Sequence, residues 1–158
     1  MYMKNVWFYN YPIGIVGIAE EDGAISRVFF CEEKSLEGFE VIETQLIKKA
    51  AGQLREYFDG KRKEFDLPLA LHGTDFMVSV WQALMTIPIG ETRSYKEVAA
   101  MISKPSACRA VGMANNRNPI AIIIPCHRVI GQNGDLVGYG GGLPTKQFLL
   151  ELEKCHAY

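Results

Sequence analysis

The run Ile124-Pro125-Cys126-His127-Arg128 sets a thiol beside an imidazole, the pair of side chains best suited to nucleophilic chemistry near neutral pH. A cysteine attacks as its thiolate, and an unperturbed thiol is ionised to only a few per cent under those conditions, so it needs a base. His127 can take the proton. Neighbouring side chains in a turn diverge, which favours a bridging water over direct contact. The base in turn needs a carboxylate to orient its ring, and Glu151 and Glu153 near the C-terminus are candidates. Taken alone, Cys126-His127 equally suits a buried structural cysteine. Cys31, Cys108 and Cys155 follow no metal-knuckle spacing, and the first half offers only Cys31 and His72 as soft ligands, too few for a tetrahedral zinc site. No metal site is therefore expected. The loop Gly138-Tyr139-Gly140-Gly141-Gly142 fails the dinucleotide fingerprint because Leu143 stands at the last glycine position.

The elements that position these groups can be read from periodicity and caps. Residues 120–124 form a short continuous apolar run that predicts a buried strand, and Ile124 is biased to the extended region by Pro125. A final helix from Pro144 to about Glu153 is predicted to bury Phe148, Leu149 and Leu152. Upstream, Thr74 caps a helix that buries Phe76, Val80, Ala83 and Leu84 and ends before Pro88. Ser94 and Glu97 make a capping box for a helix from Tyr95 to about Ile102. After the turn Ser103-Lys104-Pro105, Ser106 is expected to cap a third helix reaching Asn115. Such a pair fits a helix-turn-helix, and equally an ordinary packed pair. Ala107, Ala110, Gly112 and Ala114 give the second helix a low profile, suited either to a narrow groove or to tight helix packing.

In the first half, residues 6–30 read as β-structure with turn signals at Tyr11-Pro12 and Asp22-Gly23. Residues 41–58 read as an amphipathic helix that stops near Asp59-Gly60, and residues 64–71 as one more strand. His72-Gly73 is a plausible hinge. The expected architecture is α+β: an N-terminal α/β lobe over residues 1–72 and a mainly helical C-terminal domain over residues 73–158.

With 48% apolar residues in 158, the chain can bury a core, and no apolar run is long enough to cross a bilayer. Residues 1–11 lack a secretory pattern, so a protein of a prokaryotic cytoplasm, or otherwise intracellular, with reduced cysteines is expected; it is also expected to be a monomer. A net charge of −1 argues against general nucleic-acid binding. Its distribution says more. Between residues 92 and 128 stand Arg93, Lys96, Lys104, Arg109, Arg117 and Arg128 against the single acid Glu97, while Glu20, Glu21, Asp22, Glu32 and Glu33 lie in the first half. A basic C-terminal face can meet a phosphate backbone, or can simply be a solvated helical surface.

The segment Asn118-Pro119-Ile120-Ala121-Ile122-Ile123-Ile124-Pro125-Cys126-His127-Arg128-Val129-Ile130 closely resembles the active-site segment of the O6-alkylguanine-DNA alkyltransferases (methylated-DNA–protein-cysteine methyltransferases). Ser94-Tyr95, Arg109-Ala110-Val111-Gly112, Tyr139 before the glycines, and Leu149-Leu150 before Glu153 extend the resemblance in register over the second half. The resemblance implies a ribonuclease H-like first lobe and a winged helix-turn-helix in the second. It also implies a double-stranded DNA partner carrying O6-alkylguanine, with O4-alkylthymine as a second candidate lesion. Cys126 would be the alkyl acceptor, His127 its base through a water, and Glu153 the holder of the imidazole. Asn118 would bridge the acceptor segment to the helix pair, though a turn residue before Pro119 fits as well.

By the same resemblance Tyr95 would donate to the extruded guanine, and Arg109 would fill the gap that base leaves. A half-buried core tyrosine and a surface arginine are the plainer alternatives. Ser94, Ala110, Gly112, Asn115, Asn116, Arg117 and Arg128 would contact DNA, and Ile124, Pro125, Tyr139, Gly140 and Gly141 would line the pocket. Gly140 stands where many relatives have serine, so a hydroxyl contact to the substrate is expected to be missing; Ala121 is smaller than some counterparts, so larger alkyl groups are expected to be accepted. The damaged DNA would itself supply the alkyl group, so no cofactor is expected. A thioether cannot be hydrolysed as a thioester can, so each molecule would act once. The competing readings are a non-catalytic lesion-binding relative, a winged-helix DNA-binding regulator and a thiol hydrolase.

Overall fold

The computed structural model describes residues 3–30 and 36–157, which fall into two units, the first ending at Leu71 and the second beginning at His72. Cys31, Glu32 and Glu33 lie outside the described residues. Both units mix helix with sheet, an α+β fold.

The first unit is a four-stranded sheet with one helix against it. Strands β1 (Lys4–Tyr11), β2 (Gly14–Glu21) and β3 (Ala24–Phe30) form an antiparallel meander, and β4 (Glu40–Val41) adds parallel to β1, giving the order β3-β2-β1-β4. The second hairpin closes on two residues, Asp22 (φ 48) and Gly23 (φ 84), both in the left-handed region that the strand twist requires of so short a turn. Val6, Ala19 and Phe29 pack as a buried cluster, with Phe8, Leu36 and Phe39 against it.

Helix α1 (Gln45–Phe58) starts where the Thr44 hydroxyl accepts from Ile47 N–H, and it buries Ile47, Ala50, Leu54 and Tyr57. The predicted helix began four residues too early. Val41 belongs to β4 and, like Ile42, is exposed; the apolar spacing runs past the cap, but Thr44 fixes the start. The strand expected over residues 64–71 is reduced to one bridge from Leu69 to Ile25, because Pro68 has no N–H to donate to a ladder and offers only its carbonyl, to Ile25.

In the second unit, α2 (Asp75–Leu84) is capped by Thr74 and buries Val80, Trp81 and Leu84, with Phe76 and Ala83 only half-buried. The Trp81 indole donates to the Ala114 carbonyl at 2.9 Å. Strand β5 (Arg93–Ser94) runs into α3 (Tyr95–Met101), whose capping box is complete: Ser94 Oγ accepts from Glu97 N–H, and the Glu97 carboxylate accepts from Ser94 N–H. Helix α4 (Cys108–Asn116) follows after a turn, so the helix-turn-helix is present. Ser106 does not cap it. That residue sits inside a turn closed by Ala107 N–H donating to Lys104 O, and α4 begins one residue later without a side-chain cap. A short 3-10 turn (Cys126–Arg128), β6 (Val129–Ile130, parallel to β5) and α5 (Leu143–His156) complete the unit.

Two further local expectations for this unit are overturned, and both bear on the site. Residues 120–124 are a buried turn rather than a strand: Ile124 N–H donates to Ile120 O, and Ile122 sits at φ 71. A β-branched residue in that region costs on the order of 1–3 kcal/mol, so the surroundings must enforce it. Asn118 does so, its amide donating to Ile124 O at 2.8 Å while its oxygen accepts from Ile120 N–H at 2.9 Å. The run is continuously apolar because the turn is buried on all sides, not because it is a sheet interior. The buried stripe of α5 is likewise Lys146, Leu149 and Glu153, while Phe148 is exposed and Leu152 half-buried.

Candidate active site

Cys126 and His127 occupy the 3-10 turn that the strained 120–124 segment delivers. Cys126 is 6% exposed, His127 0% and Glu153 1%, so their chemistry runs out of bulk water. His127 Nε2 lies 2.6 Å from Glu153 Oε2. An ionised carboxylate only accepts, so Nε2 carries the proton and Nδ1 presents its lone pair. That Nδ1 is buried and has no hydrogen-bond partner among the described residues, leaving it able to take a proton. Burial alone would push the Glu153 carboxyl up, but His127 and Arg128 outweigh it by charge and hydrogen bonding and hold it at about 2.

A stability consequence follows from that depressed carboxyl. Its contribution is complete above the ordinary value of 4.5 and is lost as pH falls toward 2, an effect of about 3 kcal/mol. Urea unfolding followed from pH 5 downward is expected to show this loss in the native chain. The Glu153→Gln variant should show a stability curve flatter by about that amount. Parallel curves for the two proteins would place the acid sensitivity elsewhere.

Around the thiol stand groups that its charge reaches. The Tyr95 phenol is raised by burial and by Cys126 and Cys108; it donates weakly to Val137 O at 3.5 Å, and its ring packs 3.8 Å from where a Cβ on Gly112 would lie. Tyr139 sets its ring edge-on to His127 at 6.5 Å, and burial followed by Cys126 and Glu153 drives its phenol well up. Pro125 and Ile124 are buried behind the turn, Gly141 is half-buried, and Gly140 is exposed. A Cβ at Gly140 would touch nothing, so this position is open.

Arg109, Ala110, Asn116 and Arg117 are exposed on α4 or just beyond it, free of the acceptor's immediate surroundings. Three residues expected at the DNA surface turn inward instead. Ser94 is buried in its own capping box. Asn115 is 2% exposed, its amide donating to Cys126 O at 3.4 Å, because it falls on the buried side of α4. Arg128 is consumed by Glu153 and Ile87 O.

One group escaped sequence reasoning altogether. Lys146 is fully buried, its ammonium donating to Val129 O at 2.6 Å and Val137 O at 2.8 Å. Burial pulls it down, and the Cys126 charge opposes this. The only sequence signal was its spacing of three and seven residues from Leu149 and Glu153 on one helix face. Among the described residues no cluster of three or more His, Cys, Asp or Glu side chains could hold a metal, and no helix is long and apolar enough to cross a membrane.

Comparison with known proteins places this arrangement. Residues 6–71 match the family model described as "6-O-methylguanine DNA methyltransferase, ribonuclease-like domain", and residues 75–155 the one described as "6-O-methylguanine DNA methyltransferase, DNA binding domain". A methylated-DNA–protein-cysteine methyltransferase of Methanosarcina barkeri is 52% identical over 146 residues, covering 90% of this chain and 92% of its own. One from Mycobacterium tuberculosis is 62% identical over 108 residues, covering 68% of this chain and 66% of its own. The crystal structure of Mycobacterium tuberculosis OGT in complex with DNA superposes with a TM-score of 0.92 at 48% identity, covering 97% of this chain and 94% of that one.

Proposed function

The chain belongs to the 6-O-methylguanine DNA methyltransferase family, and from that premise we propose that it repairs DNA directly, moving the O6-alkyl group of guanine onto Cys126 once per molecule. The observation that carries the assignment of the acceptor is the 2.6 Å contact between His127 Nε2 and Glu153 beside a nearly inaccessible thiol. That contact fixes which ring nitrogen can receive the thiol proton.

The steps follow from the residues. Arg109 and Arg117, exposed on α4 and at its end, meet the duplex, and Arg109 occupies the space vacated by the extruded nucleotide. Extrusion costs about a few kcal/mol, offset by these contacts. The Cys126 proton passes through a water to His127 Nδ1. The sulfur attacks the alkyl carbon, an S–C bond forms, the C–O6 bond breaks, and the electron pair leaves with guanine, which takes up a proton at N1 in place of the one the thiol gave up. Tyr95 gives up its weak contact to Val137 O and donates to the departing base, while Tyr139 and the glycines flank it. The product is a thioether that water cannot cleave. From a DNA substrate we infer a location inside the cell.

Incubation with a duplex containing O6-methylguanine tests this. The Cys126 peptide should gain one methyl group, the guanine should be restored, and the yield should stop at one repaired lesion per protein molecule. Continued turnover under excess substrate would favour a thiol hydrolase, and binding without any adduct would favour a lesion-recognition protein.

A further inference from the structure

Arg128 has the position of a DNA contact in the sequence and the surroundings of a catalytic support in the fold. It is 6% exposed. Its Nε donates to Glu153 Oε1 at 2.8 Å, its Nη2 to Glu153 Oε2 at 2.9 Å, and its Nη1 to the Ile87 carbonyl at 2.6 Å. The guanidinium is thus paired bidentately with the same carboxylate that holds His127, and no phosphate could reach it without breaking that pair.

We propose that Arg128 is a positioning residue for proton transfer at Cys126: it neutralises and orients Glu153, so that His127 rests as a neutral base. This refines the reading of the acceptor site given above, but it concerns the thiol and imidazole alone. A carboxylate with no other counter-charge draws a second proton onto a neighbouring imidazole and stores it there as an ion pair. Here the carboxylate already has its cation.

The other groups around the site agree with this balance. The 3-10 turn contributes Cys126, His127 and Arg128, and α5 contributes Glu153 and Lys146. Tyr139 sets its ring edge against His127, Tyr95 lies within reach of the Cys126 charge, and the segment after α2 offers the Ile87 carbonyl. Among the described residues, Arg128 and Lys146 exceed Glu153 by one positive charge while the Cys126 thiol is protonated. A proton added to His127 from solvent would raise that excess to two, whereas one taken from Cys126 leaves it unchanged, so the imidazole rests neutral and accepts the thiol proton only as the sulfur gives it up.

The sign of the effect of removing Arg128 is then fixed. Losing a buried positive charge makes neighbouring protons harder to remove, so the acid limb of Cys126 reactivity should move to higher pH. The test is alkylation of Cys126 by iodoacetamide without DNA, located by peptide mass spectrometry and followed from pH 5 to pH 9. Arg128→Met is expected to shift the acid limb upward by about one pH unit, and Arg128→Lys, which keeps the charge, by less than half of that. Both variants should keep the native salt dependence of duplex binding, because no phosphate contact is lost. In the unaltered protein, nitrogen NMR of the histidines should find His127 neutral with its proton on Nε2 at pH 7.

An imidazolium signal from His127 at pH 7 overturns the proposal, whether or not the variants fold. So does an unmoved acid limb in folded Arg128→Met, or a salt slope reduced by about one contact in either variant. None of these readings requires transfer from DNA, so failure of the alkyltransferase assignment would be seen separately, as an absent methyl adduct.

Discussion

Replacing Cys126 with alanine should abolish methyl transfer from O6-methylguanine duplex while leaving duplex affinity within about twofold of the original. The two effects separate because the thiol and the exposed face of α4 proposed to meet DNA are different parts of the second unit. Cys126 is 6% exposed, whereas Arg109, Ala110, Asn116 and Arg117 are exposed on α4 or just beyond it. Phosphate contacts from such residues supply the salt-dependent part of affinity, and they do not need the sulfur. Nor should the fold suffer much. Trimming one buried sulfur removes few contacts, at a cost of about 1 kcal/mol, and the 3-10 turn keeps its main-chain bonds. Transfer of radiolabelled methyl, together with binding at two salt concentrations, measures both quantities. The exposed Cys108 and Cys155 provide the internal control. Label retained on either in the Cys126→Ala protein would show that the acceptor had been misassigned.

The part of this site that could be read in the chain was the part where residue type and sequence position coincide. Cys126 and His127 are adjacent, Ser94 and Glu97 stand at capping-box spacing, and Asp22-Gly23 is a two-residue turn signal, so each announces itself locally. Glu153 was reachable through the family resemblance, since Glu151 has the same chemistry two residues away. What the chain concealed depends on partners distant in sequence. Arg128 looks like one more member of a basic stretch, and only the approach of α5 and of Ile87 shows that it faces inward. Asn115 and Asn116 are neighbours of identical type, yet helix phase buries the first against Cys126 and exposes the second.

The misread turn at residues 120–124 has a similar cause. Four isoleucines around one alanine signal burial strongly, but burial is common to strands and to enclosed turns. The deciding feature was the Asn118 side chain bonding both ends of the segment. That bond could not be inferred from hydropathy. It is also what holds Ile122 at φ 71 and so aims the acceptor turn.

Lys146 is the residue whose replacement should separate reactivity from stability. Its ammonium is fully buried, and among the described residues its only partners are the carbonyls of Val129 and Val137. Glu153 is already engaged by Arg128 and His127, which leaves the Cys126 thiolate as the counter-charge Lys146 can serve. Lys146→Met keeps the length of the side chain and removes that charge. Methyl transfer is then expected to slow by about 10- to 100-fold, the range for one lost charge interaction in a water-excluded site.

Stability should move less, by about 1 kcal/mol in either direction, because relief from burying an ammonium opposes the loss of donors to two carbonyls. The same reasoning reaches the reacted protein. Before reaction Cys126 is a neutral thiol and afterwards a neutral thioether, so methylation changes no charge beside the ammonium. Native protein and Lys146→Met should therefore lose the same stability on reaction, the methyl group acting only by crowding the turn. A cycle of four urea titrations, with and without the substitution and before and after methylation, measures this. A larger loss in the native protein would mean that Lys146 already faces a thiolate before reaction.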